Sequence, residues 1–149
     1  MLMKNLFTCF LALLPLLFFQ CKKEPPHLNM TLYNKPLPGI KAHIKGTWKL
    51  HYGKGGFIAN MKQYYENTYY EFGDNDRVKI TSNGNVHTDS TIGWTRELGT
   101  YTNGDSTFTM KFYDKQNVPW VYVVEQIVND TLILHDNSSD AVFYHFTKL

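Results

Sequence analysis

The chain reads as all-β: a single antiparallel eight-stranded up-and-down barrel. Three observations predict it. From residue 44 onward the apolar side chains recur mostly with period two, the mark of half-buried strands. Turn pairs such as Asn83-Gly84, Asn103-Gly104 and Asn129-Asp130 break that pattern at short intervals. Ten Phe, ten Tyr and three Trp among 149 residues supply enough ring area for one core. The two cysteines, Cys9 and Cys21, both lie near the N-terminus, so the core has no internal disulfide to rely on.

Residues 1–20 join a basic start at Lys4 to an uncharged apolar run from Leu6 to Phe19, the pattern of an export signal. That run is interrupted by Pro15 and falls short of the roughly 20 residues a spanning helix needs. Cys21 follows, then the hydrophilic Lys22-Lys23-Glu24-Pro25-Pro26. This junction resembles the start of a bacterial lipoprotein, although Phe18-Phe19-Gln20 stands where a lipobox carries small residues. The resemblance implies cleavage before Cys21 and acylation of Cys21, palmitate included. It also implies a lipid-anchored place in the bacterial cell envelope, at the outer membrane. Several acyl chains would hold durably where one holds marginally. Residues 21–41, rich in proline, read as a flexible tether, and residues 42–149 as the domain.

The first strand is expected at Ile44–Tyr52, with Trp48, Leu50 and Tyr52 in phase, ended by Gly53, Gly55 and Gly56. Phe57–Asn67 is open between a short helical lid and an irregular connection. Strands follow at Thr68–Phe72 and, after Gly73–Asp76, at Arg77–Ser82, where Val78 and Ile80 point inward. Val86–Tyr101 reads as one long strand bent near Gly93. Ser106–Tyr113 sets Phe108, Met110 and Phe112 on one face. Trp120–Val128 is the most apolar strand, and Pro119 fits only at its start or at an edge. Thr131–His135 and Ala141–Leu149 form the last hairpin. Short connections favour pairing in order, and closure protects the edges.

Lys45-Gly46-Thr47-Trp48-Lys49-Leu50 resembles the G-x-W signature on the first strand of the lipocalins. With the strand meander and the late Asn129–Leu134 hairpin, residues 42–149 resemble the small lipocalin-like lipoproteins common in Bacteroidetes, which have calycin-like barrels. The resemblance implies that Gly46 gives the entering strand room and that Trp48 plugs the closed end. The arginine that commonly stacks on this tryptophan is missing. The last strand offers Lys148 instead, which leaves the partner of Trp48 open.

The sequence holds no G-x-S-x-G elbow, H-E-x-x-H zinc motif, phosphate loop or dinucleotide fingerprint. Gly53-Lys54-Gly55-Gly56 lacks the ending of a phosphate cradle and reads as a turn. Asp74-Asn75-Asp76 lacks the calcium-loop pattern. His135 and His145 fall several residues apart on the last hairpin, facing outward. Glu71 and Glu125 are in the solvated phase. With Lys4 removed, basic and acidic side chains nearly balance and no basic patch marks a nucleic-acid partner.

The expectation is therefore a binding protein rather than an enzyme, with no cofactor and no metal. It is membrane-anchored through acylated Cys21 and takes a small hydrophobic ligand inside an aromatic barrel. The candidate ligand-binding residues are Trp94, Phe108 and Tyr122, from the middle strands away from Trp48. The alternative is a cell-envelope interaction or structural protein with a filled barrel. It would meet an envelope protein through the outward apolar residues Val121, Val123, Ile133 and Phe143.

Overall fold

Asparagine and aspartate fix where the strands stop. The computed structural model describes residues 27–58 and 61–149. Asn83-Gly84 has φ of 50 and 78°, and Asn129-Asp130 has 48 and 61°. Both are two-residue hairpin turns with two left-handed centres, whose twist matches that of the flanking strands. Short polar side chains tolerate this region better than other residues do. The expected export signal, Cys21 and residues 22–26 lie outside the described residues, as do residues 59–60 of the ambiguous connection.

The elements in order are β1 (Met30–Thr31), helix α1 (Leu37–Ile44), β2 (Gly46–Gly55), β3 (Lys62–Phe72), β4 (Arg77–Ser82) and β5 (Asn85–Thr91). Then come β6 (Gly93–Leu98), β7 (Ser106–Tyr113), β8 (Pro119–Val128), β9 (Thr131–Asp136) and β10 (Val142–Lys148). Nine strands pair in the order β5-β4-β3-β2-β10-β9-β8-β7-β6, all antiparallel. The ladder between β2 and β10, from Gly55↔Val142 to Trp48↔Lys148, joins the two ends of the meander and curls the sheet.

The result is an open, curled sheet that resembles a calycin-like barrel, in place of the closed eight-stranded barrel expected. Its two free edges are β5 and β6, separated only by the buried Ile92. Together they are the long bent strand anticipated near Gly93. Its first half pairs with β4 and its second half with β7. Each half is thus laddered on one side only. Ile92 N–H donates to the Asp76 carbonyl at 2.7 Å, continuing the β4–β5 ladder, and across the seam Lys115 N–H donates to the His87 carbonyl at 3.2 Å. The other departure is at β3, which begins at Lys62 and absorbs part of the connection left open between a lid and an irregular segment.

Residues 30–44 overturn the expected tether. β7 pairs with β8 only from Pro119 to Val123, and β1 pairs farther along β8, at Gln126 and Ile127. Leu32 and Ile40 are completely buried, and α1 adds Ile44 to the core of Trp48, Phe72, Phe112 and Phe146. Prolines suggested extension here. Pro36 instead caps α1 and Pro38 lies in its first turn, where a missing N–H leaves no helical bond unmade. Lys41 of α1 and Lys45, just past its end, bond Asp76 at 2.7 Å and Asp74 at 2.6 Å, tying the helix to the β3–β4 turn.

Candidate ligand cavity

Trp48 lies at the end of the curl covered by α1. Its ring is buried, its indole N–H donates to the Ile44 carbonyl at 2.6 Å, and the Lys148 ammonium sits 5.3 Å from its ring centre. The lysine of the last strand thus occupies the position open in the sequence reading. Gly46 has φ of +123°, and a Cβ there would lie 3.1 Å from Lys148 Cε. The conformation requires glycine, while the close approach would push aside the end of the Lys148 side chain.

From this end the core is packed solid through Leu50, Phe72, Phe146 and Leu132. At the other end the strands diverge around a cavity of about 240 Å³. Leu50, Tyr65, Tyr70, Ile80, Trp120 and Tyr144 supply its apolar and aromatic walls. Thr68, Ser82 and Thr88 add hydroxyls, and His87, Asp114 and Gln116 stand among the lining at the seam. An apolar cavity of about 150 Å³ is enough to hold benzene, whereas drug-sized ligands occupy roughly 300–1,000 Å³. This cavity therefore suits a molecule of one or two rings.

The three sequence candidates do not meet there. Tyr122 is buried beside the cavity, stacked on Trp120 at 6.1 Å and edge-on to Tyr144 at 5.4 Å. Trp94 and Phe108 share its sheet face, through the pairs Trp94↔Met110 and Met110↔Tyr122, but lie toward the α1 end. The Trp94 N–H donates to Asp76 at 3.0 Å, and the Lys41 ammonium lies 5.7 Å from its ring centre. Phe108 lines a groove with Tyr33–Pro38 and Arg96. Periodicity identifies the inward phase but not the depth, because residues 32–41 of the plug read as tether in the sequence. Tyr65 and Trp120 were missed as lining residues, though both belong to aromatic-rich strand segments.

Four tyrosines, Tyr65, Tyr70, Tyr122 and Tyr144, form an electrostatically coupled group at the cavity. Burial pushes Tyr70 up to about 12. Burial and the neighbouring phenols push Tyr122 well above its ordinary value and raise Tyr144; burial raises Tyr65. All four are neutral hydroxyls at physiological pH. The Tyr70 and Tyr122 hydroxyls engage each other, which raises Tyr122 further, and the buried Trp120 N–H has no partner. Leaving a buried donor unpaired costs about 1–3 kcal/mol. The Asp114 carboxylate accepts from the backbone N–H groups of Gln116 at 2.9 Å and Val118 at 2.8 Å. Among the described lining residues there is no lysine or arginine.

The outward face differs from expectation. Val123 is wholly buried, and the 99–105 loop folds across this side of β8–β10. Tyr101 packs edge-on against His135 at 5.6 Å and Phe143 at 5.4 Å, and its hydroxyl donates to the Ser139 carbonyl. The patch of Val121, Val123, Ile133 and Phe143 is therefore largely covered. Glu125 is half-buried rather than solvated, and burial raises its pKa. His135 pairs with Phe143 and His145 with Ile133, so the two imidazoles occupy separate ladder positions. His145 stacks on Tyr52 at 4.3 Å. Among the described residues, no group of three or more His, Cys, Asp or Glu is placed to hold a metal. Compared with protein families, curated proteins and solved structures, the chain matches none.

Proposed function

We propose that this protein is a non-catalytic binder of a small, neutral, mainly hydrophobic molecule, held in the cavity between Tyr65, Tyr70, Trp120 and Tyr144. The observation that carries this reading is a cleft of about 240 Å³, partly open to solvent, with Tyr65, Tyr70, Trp120 and Tyr144 in its walls. Rings give a ligand large contact area, and the scattered hydroxyls can orient it. The carboxylate in the lining, Asp114, is already engaged by its own turn, which favours an uncharged ligand. The apolar stretch ahead of Cys21 supports the further proposal that the domain is held at the outer membrane by acylation of that cysteine. The envelope-partner alternative is weakened by the cover that Tyr101 places over Phe143.

Titration of the full chain with hydrocarbons of increasing size, followed by tryptophan fluorescence, tests the cavity. Two-ring compounds should bind one to one, four-ring compounds should not, and Ser82→Trp at the lining should weaken binding at least about tenfold with the fold intact. Absence of saturable binding, or binding indifferent to Ser82→Trp, would overturn the reading.

A further inference from the structure

Large apolar side chains left in solvent collect at the hairpin tip that joins β2 to β3. Phe57 is 97 % exposed, Ile58 64 %, Met61 56 % and Tyr64, just inside β3, 71 %. Backbone hydrogen bonds close the tip: Met61 N–H donates to the Ile58 carbonyl at 3.1 Å and Gly55 N–H to the Met61 carbonyl at 3.2 Å. Its root is pinned by Gly56 N–H donating to the Ala141 carbonyl at 3.2 Å. Gly55 has φ of +119°, and a Cβ there would lie 2.4 Å from the Ala141 carbonyl oxygen, so only glycine seats the root this closely. Apolar groups gathered on a folded surface, with charges at their margin, mark a place where something docks.

The charges at the root indicate what docks. Lys54 and Lys62 stand directly opposite each other on β2 and β3, where like charges destabilise a sheet. Neither has an ion-pair partner among the described residues, and the Lys62 ammonium lies 4.7 Å from the ring centre of Tyr52. Burial, and then the charges of Lys62 and Lys54, hold the His145 imidazole below its ordinary value, which registers the positive field here. An anion from outside would offset that repulsion. We propose that this tip docks into the surface of an anionic lipid bilayer, with Phe57, Ile58 and Met61 entering the acyl boundary and Lys54 and Lys62 meeting lipid phosphates. Tyr64 then sits at headgroup depth, where tyrosine is favoured. A stable protein interface takes roughly 800 Å² from each partner, a broad face rather than one hairpin tip. The tip also lies at the open end of the curl, since Tyr144 of the cavity pairs with Gly53 next to its root. Docking there brings the cavity mouth close to the lipid, and the tip and its lysines would do so whether or not the cavity holds a ligand.

The test places a reporter at the tip. Full-length Phe57→Trp is mixed with vesicles of phosphatidylcholine, with or without phosphatidylglycerol, in which a fraction of the lipid carries brominated acyl chains. The unsubstituted chain serves as the blank for Trp48, Trp94 and Trp120. The added tryptophan should shift to the blue and be quenched by bromine on the phosphatidylglycerol vesicles. Lys54→Gln and Lys62→Gln, made in the same background, should each weaken that quenching titration by roughly fivefold, as should added salt in proportion. The reporter reads its own position, so lipid contact made by residues 1–21 does not mimic the result. A tryptophan that stays in water while the chain sediments with the vesicles overturns the proposal, as does a chain that does not sediment with them at all. Equal quenching on neutral vesicles, indifferent to both lysine substitutions, overturns the part given to the lysines. A dimer in sedimentation velocity that Phe57→Ser dissociates assigns the tip to a second copy of the chain instead.

Discussion

At residue scale, Gly46 shows how one position serves two demands. Its φ of +123° is costly for any residue with a Cβ, and that Cβ would crowd the Lys148 side chain resting over Trp48. Gly46→Ala should destabilise the domain by about 1–3 kcal/mol, read as a lowered urea midpoint with unchanged slope. A neutral result would mean that the chain entering β2 can relax. The pair Gly46 and Trp48 was visible in the sequence because a local motif carried it. The Lys148 contact was visible only as a candidate, since it depends on the register of β10 against β2. Trp94 faces inward as expected but lies at the α1 end, away from the cavity around Trp120. Nothing in its own strand reveals that Asp76, from a turn on another hairpin, takes its N–H.

Among the elements, strands announced themselves by alternation and turns by Asn, Asp and Gly. The helix did not. Leu37–Ile44 has eight residues, begins beside two prolines and has no acidic residue in its first turn. It exists because the curled sheet offers Ile40 and Ile44 a core, a tertiary reason that no local pattern encodes. Ile40→Ala should therefore cost about 2–4 kcal/mol, as for any wholly buried branched side chain. Thermal unfolding would measure it. A change of a few tenths would instead identify residues 37–44 as a detachable cover. The bent strand was legible as a bend near Gly93, but not as the place where the ladder ends on both sides. Edge pairing is a property of neighbours, and the sequence lists no neighbours.

For the molecule as a whole, the tyrosine group links the cavity to stability. Tyr70 holds its proton up to about 12, and Tyr122 and Tyr144 are shifted in the same direction. An unfolded phenol releases its proton near 10. Between these values the native state binds more protons than the unfolded one, so stability falls as pH rises. Melting temperature should hold steady up to about pH 10 and then drop through pH 12, and Tyr70→Phe should soften that drop. An equally steep drop in the variant would assign the alkaline loss to lysines. Composition indicated an aromatic interior, yet could not show that the core is closed over by α1 at one end of the curl and opens into a cleft at the other. That division follows from which end of the curl the N-terminal segment covers.

His27 and Leu28 bind Asp130 in the β8–β9 turn, whereas Asp114 and Gln116 of the cavity precede the opposite end of β8. Trp48 and Lys148 lie together at the covered end, so the last strand finishes there too. Both described termini thus leave the molecule from its stoppered base. A domain held by either terminus stands like a cup on its foot, its rim turned away from whatever holds it, and a small molecule arrives from the opposite side without passing the point of attachment.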